Sequence, residues 1–194
     1  MEKIETLKDG TKVTIKELKP ENLDQLMQFY LELPLEDRKY LRFDVTDRKT
    51  IAKRLKRIES GDDIRIAAWL GDKIIASGVI ELSGLAWSKH QGEIRVMIAR
   101  PFQHRGLGMI MIRELFFIAV QNNLEIITAM MMRPQVGAQH IFNKLGFREV
   151  MILPDYLKDI EGTTQDMIIM TCNVKDLWKQ LDHLFSESDW QRCR

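Results

Sequence analysis

At 194 residues the chain is long enough for one domain with a substantial core and short for two. Hydrophobic residues make up 45% and charged residues 29%, an ordinary globular composition, and 29 basic against 28 acidic residues leave a formal charge of +1. That balance speaks against a dedicated nucleic-acid binder, and no apolar run reaches the roughly 18 residues of a membrane span. Residues 1–5 lack the apolar stretch of a secretory signal, and Cys172 and Cys193 stand in no metal-type pair. The expectation is a cytoplasmic protein without a disulfide framework or a metal site.

In chain order, a turn at Asp9-Gly10 leads into alternating Val13 and Ile15, a first strand. Pro20 sits at a helix start, with Leu23, Leu26, Met27, Tyr30 and Leu31 on one face. A second helix follows Thr46, with Ile51, Leu55 and Ile58 on its apolar side. Runs at Ile64–Leu70 and Lys73–Leu82, separated by Gly71-Asp72, predict a hairpin. Glu93–Ala99 reads as a strand, Gly106–Asn123 as a helix and Leu124–Met131 as a strand, a crossover unit whose two strands are expected to be parallel. That helix is apolar almost all round, so it is expected to be buried. A helix over Val136–Leu145 closed by Gly146, strands at Phe147–Leu153 and Gln165–Thr171, and an amphipathic helix capped by Asn173 complete a mixed α/β domain.

The segment Gln103-His104-Arg105-Gly106-Leu107-Gly108 joins the central strand to the buried helix. Glycines without a Cβ at 106 and 108 let an anionic ligand approach the backbone. The helix start adds unpaired N–H groups and a partial positive charge, a seat for a pyrophosphate. Arg105 and His104 can add side-chain charge. The competing reading is a plain tight turn.

In this context the sequence resembles the GNAT superfamily of N-acetyltransferases. Ile98, then Ala99 to Phe102, then Gln103–Gly108 match the family's strand, spacer and Q/R-x-x-G-x-G/A motif. Ala138–Phe147 matches its second motif, a helix running into K-L-G-F, and Leu7–Ile15 resembles its opening strand. The resemblance spans residues 8–172, leaving 173–194 as a C-terminal amphipathic helix and tail. It implies a mixed, mostly antiparallel sheet with a parallel, splayed central pair. Pantetheine would enter the gap and pair near Met97, Ile98 and Ala99, with the pyrophosphate on the amides of His104, Arg105, Gly106, Leu107 and Gly108. Acetyl-CoA would donate, without a metal, to a primary amine in a ternary complex. The acceptor is either a protein lysine, since Leu33–Phe43 resembles bacterial protein-lysine acetyltransferase domains, or a small molecule. A homodimer through the C-terminal helix is the other partner considered.

The chemistry requires an amine to lose a proton, since a lysine-type ammonium has a pKa of about 10.4. It also requires a backbone donor to the oxyanion, expected near Met97. Glu93, ten residues before Gln103, is the candidate base; otherwise it is a solvated strand-end carboxylate paired to Arg95. Two positions depart from the family pattern. Gln135 replaces a common Asn, and Phe142 stands where many relatives carry a tyrosine that protonates the leaving thiolate. Tyr156, in the Pro154–Gly162 loop, is the candidate substitute. Phe142 and Gln135 also keep open a CoA-sensing module without turnover, and the methionines near Met130 keep open a longer acyl chain. The basic run Lys49, Lys53, Arg54, Lys56 and Arg57 reads as a solvated helix face.

Overall fold

The computed structural model describes residues 2–176. One sheet of eight strands runs in the order β1-β2-β3-β4-β5-β6-β8-β7. The strands are β1 (Glu2–Thr6), β2 (Lys12–Glu17), β3 (Asp63–Leu70), β4 (Lys73–Leu82), β5 (Gln91–Ile98), β6 (Ile126–Met132), β7 (Arg148–Lys158) and β8 (Thr164–Asn173). Neighbouring strands are antiparallel except β5 and β6, the parallel pair expected across the crossover. The helices are α1 (Leu23–Glu32), α2 (Leu35–Arg38), α3 (Arg48–Glu59), α4 (Leu107–Gln121) and α5 (Val136–Lys144). No helix among the described residues is long and apolar enough to cross a membrane.

Strand alternation divides the core into two layers. One sheet face carries Ile66, Ala68, Ile80, Ile94, Ile127 and Ala129, packed on Met111, Leu115 and Phe116 of α4. Gly78 is needed on this face, because a Cβ there would stand 2.9 Å from Leu115. The opposite face carries Ala67, Trp69 and Ile74 against Leu26, Phe29 and Tyr30 of α1 and Ile51 and Leu55 of α3. Asp47 caps α3 by accepting from the amides of Lys49 and Thr50. Gly71 (φ 59°) turns the β3–β4 hairpin, and Gly146 (φ 81°) supplies the left-handed residue after α5.

Several boundaries differ from the expectation. Within α1, Leu31 is exposed and Phe29 takes the buried place, because the stripe follows Leu26, Met27, Phe29 and Tyr30. The stretch between the first two long helices contains the short α2. β1 precedes the expected first strand: Lys3 pairs with the buried Glu114 of α4 at 2.6 Å, and Glu5 pairs with Arg113. β7 runs on to Lys158 through register shifts, so Pro154–Lys158 is strand rather than loop. The α3 run is only partly solvated. Lys49, Lys53 and Lys56 are exposed. Arg54, however, reaches Glu81 of β4 at 3.1 Å and stacks on Phe43, and Arg57 reaches Asp63 of β3 at 2.8 Å. The Asn173 side chain accepts from the amides of Lys175 and Asp176, as a cap does. The apolar residues of the helix expected beyond it, from Leu177 on, lie outside the described residues.

Candidate active site

The central parallel pair is short. β5 and β6 pair only at Gln91–Ile126, Gly92–Ile127 and Glu93–Thr128, and then diverge as β5 runs to Ile98 and β6 to Met132. Divergence leaves backbone polar groups of β5 without a strand partner on that side. Which groups these are follows from alternation. The Ala99 N–H donates to Ile75 of β4, so residues of the same parity turn their amides to β4. The amides of Met97 and Ala99 therefore point away from the gap, and those of Val96 and Ile98 point into it. The donor expected near Met97 thus falls to Val96 or Ile98 rather than to Met97 itself. The Ile98 carbonyl on the gap side accepts from the Gln103 side chain at 3.1 Å, so Gln103 braces the strand end.

The Gly-rich turn closes one end of this gap. His104 (φ 59°) and Gly106 (φ 89°) are both left-handed, and Gly106 forms the N-cap of α4. The first helical bond runs from the Ile110 N–H to the Gly106 carbonyl, so the amides of Leu107, Gly108 and Met109 lack a partner within the helix. Arg105 pairs with Asp9, and its carbonyl accepts from the Lys8 amide, tying the turn to the β1–β2 connection. The two glycines serve different ends. Gly106 is required by its left-handed backbone. At Gly108 a Cβ would stand 3.1 Å from Ile98 and 3.2 Å from Ile141, so this glycine lets α4 pack against β5 and α5. This packing is a demand on Gly108 that the sequence did not reveal.

A cavity of about 110 Å³ opens where the strands part. Val96, Met97, Ala129, Met130 and Met131 line it from the strands, and Gln135, Ala138 and Phe142 from α5 and its start. Tyr30, Tyr40 and Arg42 close its other side. The Gln135 side chain accepts from the Met132 amide at 2.8 Å and so shapes the turn into α5. Phe142 packs edge-on against Phe147, with ring centroids 4.9 Å apart. A second, more open cavity of about 560 Å³ adjoins it across residues 41–45.

Glu93 stands at the point of divergence. It does not line the cavity, but its neighbours Ile94 and Arg95 do. Glu93 pairs by charge with Arg42, although its Oε1 takes no well-directed hydrogen bond. Arg95 pairs instead with Glu81, which corrects the expected Glu93–Arg95 pair. Burial alone would raise the Glu81 pKa, but Arg95 and Arg54 outweigh it and hold the carboxyl below its ordinary value. Tyr156 is exposed on β7 and lines neither cavity. Cys172 is buried on β8, where loss of water pushes its thiol up to about 11. Among the described residues no three His, Cys, Asp or Glu side chains gather as a metal would require.

Residues 23–147 match the family model for the acetyltransferase (GNAT) family. The chain belongs to the GNAT acetyltransferase family. It is thus a transferase of acyl groups, built on the fold its relatives use to bind acetyl-CoA. A search of curated proteins finds no matching sequence. Among solved structures, a GNAT acetyltransferase from Streptococcus pneumoniae superposes with a TM-score of 0.73 at 20% identity, covering 83% of this chain and 99% of that one. The GNAT domain of PAT from S. lividans gives 0.72 at 17% identity, covering 89% and 96%. A putative acetyltransferase from Salmonella typhimurium, solved with its cofactor acetyl-CoA, gives 0.73 at 13% identity, covering 84% and 94%. At these identities the likeness concerns the GNAT fold.

Sequence reasoning gave no site role to Tyr30, Arg65 or Val96, and reached Tyr40 and Arg42 only as part of the stretch Leu33–Phe43. Arg65 had a readable signal, a charge set inside the apolar strand Asp63–Leu70. For Arg42 the partner was not readable, since its meeting with Glu93 joins residues 51 positions apart.

Proposed function

We propose that this GNAT enzyme transfers an acetyl group from acetyl-CoA to a primary amine by direct attack. The supporting observation is the early end of the β5–β6 pairing at Glu93–Thr128, which leaves a gap lined by free backbone and ending at the left-handed Gly106 turn. The donor set fits the cosubstrate. The amide of Ile98 suits a pantetheine amide chain, and the α4 amides from Leu107 on, beside Arg105, suit a pyrophosphate. Acetyl-CoA supplies an activated carbonyl with a thiolate leaving group.

The protein residues supply position and proton transfer. Glu93, at the crotch of the strands, takes the amine proton directly or through a water, and Arg42 holds its carboxylate in place. The Val96 amide donates to the developing oxyanion. Cys172 is a poor nucleophile at about 11 in the buried layer, which supports direct attack over an acyl-enzyme at that residue. With Phe142 in the cavity wall, the thiolate leaves toward Tyr40, the more exposed of the two tyrosines that line the cavity. Tyr40 takes the role first considered for Tyr156.

Calorimetry with acetyl-CoA, followed by thiol release with a panel of amines, tests the reading. Glu93→Gln is expected to bind acetyl-CoA normally and to lose about a hundredfold or more in kcat/KM. Failure of the natural chain to bind acetyl-CoA would refute the proposal. Unchanged turnover in Glu93→Gln would remove the base.

A further inference from the structure

The sheet face opposite α4 carries an unusual charge array beside the cavity. In register, Arg65 of β3, Val79 of β4 and Arg95 of β5 form one row, with Glu81 and Glu93 in the next. Asp63 pairs with Arg57 and Arg65, Glu81 with Arg54 and Arg95, and Glu93 with Arg42. Five guanidinium groups therefore share three carboxylates. The two arginines in register are the least exposed of the five, Arg65 at 4% and Arg95 at 21%. Burial lowers the pKa of Arg54 against the pull of Glu81, and Arg95 and Arg65 push the same way as burial.

The surplus is aimed at the cavity. Its only charged lining residues are Arg42, Arg65 and Arg95, and no carboxylate among the described residues lines it. Arg65 spends one terminal nitrogen on Asp63 at 2.8 Å, while its buried Nε has no hydrogen-bond partner. A buried guanidinium nitrogen without an acceptor is costly, so Arg65 is incompletely satisfied by Asp63 alone. The polar hydroxyl of Ser77 and the tyrosines Tyr30 and Tyr40 complete the wall.

Resting on the acetyltransferase reading of the same site, we infer that the acceptor is a small amine bearing a carboxylate, held by Arg65 and Arg95. A guanidinium fork matches a carboxylate in two parallel bonds, and two such forks about 10 Å apart at the backbone bracket a single group. Glu93 lies two residues before Arg95 on the same strand face, about 7 Å along the strand. The amine and the acid of a short amino acid can thus meet Glu93 and the arginines at once. A polyamine meets three arginines and no acid in the same wall.

The test uses reaction products, so that it reads binding without turnover. N-acetyl amino acids and their C-terminal amides are titrated calorimetrically into the full chain with CoA present. At least one acid is expected to bind tenfold or more tighter than its amide, since a charge-assisted bond is lost in the amide. In Arg95→Gln that ratio falls toward one; if this variant fails to fold by circular dichroism, Arg65→Lys, which keeps charge but loses the fork, replaces it. Equal or weaker binding of every acid would overturn the inference. Acetyl-CoA is titrated separately. Carboxylate preference without acetyl-CoA binding would sink the transferase reading and spare the anion subsite, and the reverse result would do the opposite.

Discussion

Replacing Gly106 with alanine separates the backbone demand of the turn from any demand for space. At φ 89° an alanine pays the left-handed penalty, about 1–2 kcal/mol. Sterics add nothing, because the new Cβ would meet only the Lys8 stem, at 3.5 Å or more. For a chain of this length that cost corresponds to roughly 3–6 °C in Tm. If the turn relaxes to escape the strain, the amides of Leu107 and Gly108 rotate, and acetyl-CoA affinity falls by about tenfold. Gly106→Asn is expected to lose less on both scales, since asparagine tolerates this region. Gly108→Ala is the control. Its Cβ would press on Ile98 and Ile141 at 3.1 and 3.2 Å, costing about 1 kcal/mol without a forced change of φ. Thermal melts and calorimetry on the three variants decide the matter. An alanine at 106 with unchanged Tm and unchanged acetyl-CoA affinity would refute the reasoning.

Asp63→Ala leaves the buried Arg65 without its carboxylate and is expected to cost about 3–5 kcal/mol in urea unfolding, against under 1 kcal/mol for exposed Asp24→Ala, whose partner Arg48 is also exposed. Cys172→Ser is expected to keep turnover, and in a Cys193→Ser background Cys172 is expected to resist thiol reagents at pH 8 until denatured; rapid labelling of that folded variant would contradict the burial of Cys172. Glu81 titrates below its ordinary value in the folded state, so its contribution is present above about pH 4.5 and is lost as pH falls through the lower folded value. Unfolding free energy against pH should therefore fall less steeply on the acid side in Glu81→Gln than in the natural chain. Lys3→Ala removes one of the two partners of buried Glu114, Arg113 being the other, and should lower stability by about 1 kcal/mol, read by the same melts.

Local chemistry made the Gly-rich end of the candidate site readable in the sequence. A strand, a Gly-rich turn and an apolar helix follow from neighbouring residues, and so do the Gly71-Asp72 hairpin, the parallel β5–β6 pair and the left-handed Gly146. These features depend on the periods of strand and helix and on positive φ, which a linear pattern carries. The acceptor half depends on contacts between distant segments. Arg42 meets Glu93, Arg54 meets Glu81 and Arg65 comes into row with Arg95 only when α1, α3 and three strands are packed on one sheet face. β1 escaped notice because Glu2–Thr6 is mostly exposed, and it joins the sheet beside α4 through Lys3–Glu114 and Glu5–Arg113. The direction of the β5 amides was equally hidden: which parity faces the gap is set by the register with β4, and a one-residue slip would have exchanged Met97 for Val96. Sequence alone determined the family and the Gly-rich turn, because these lie in contiguous residues. Tertiary structure alone decided the charge of the cavity wall, because that charge is a sum over residues that meet only in the folded chain.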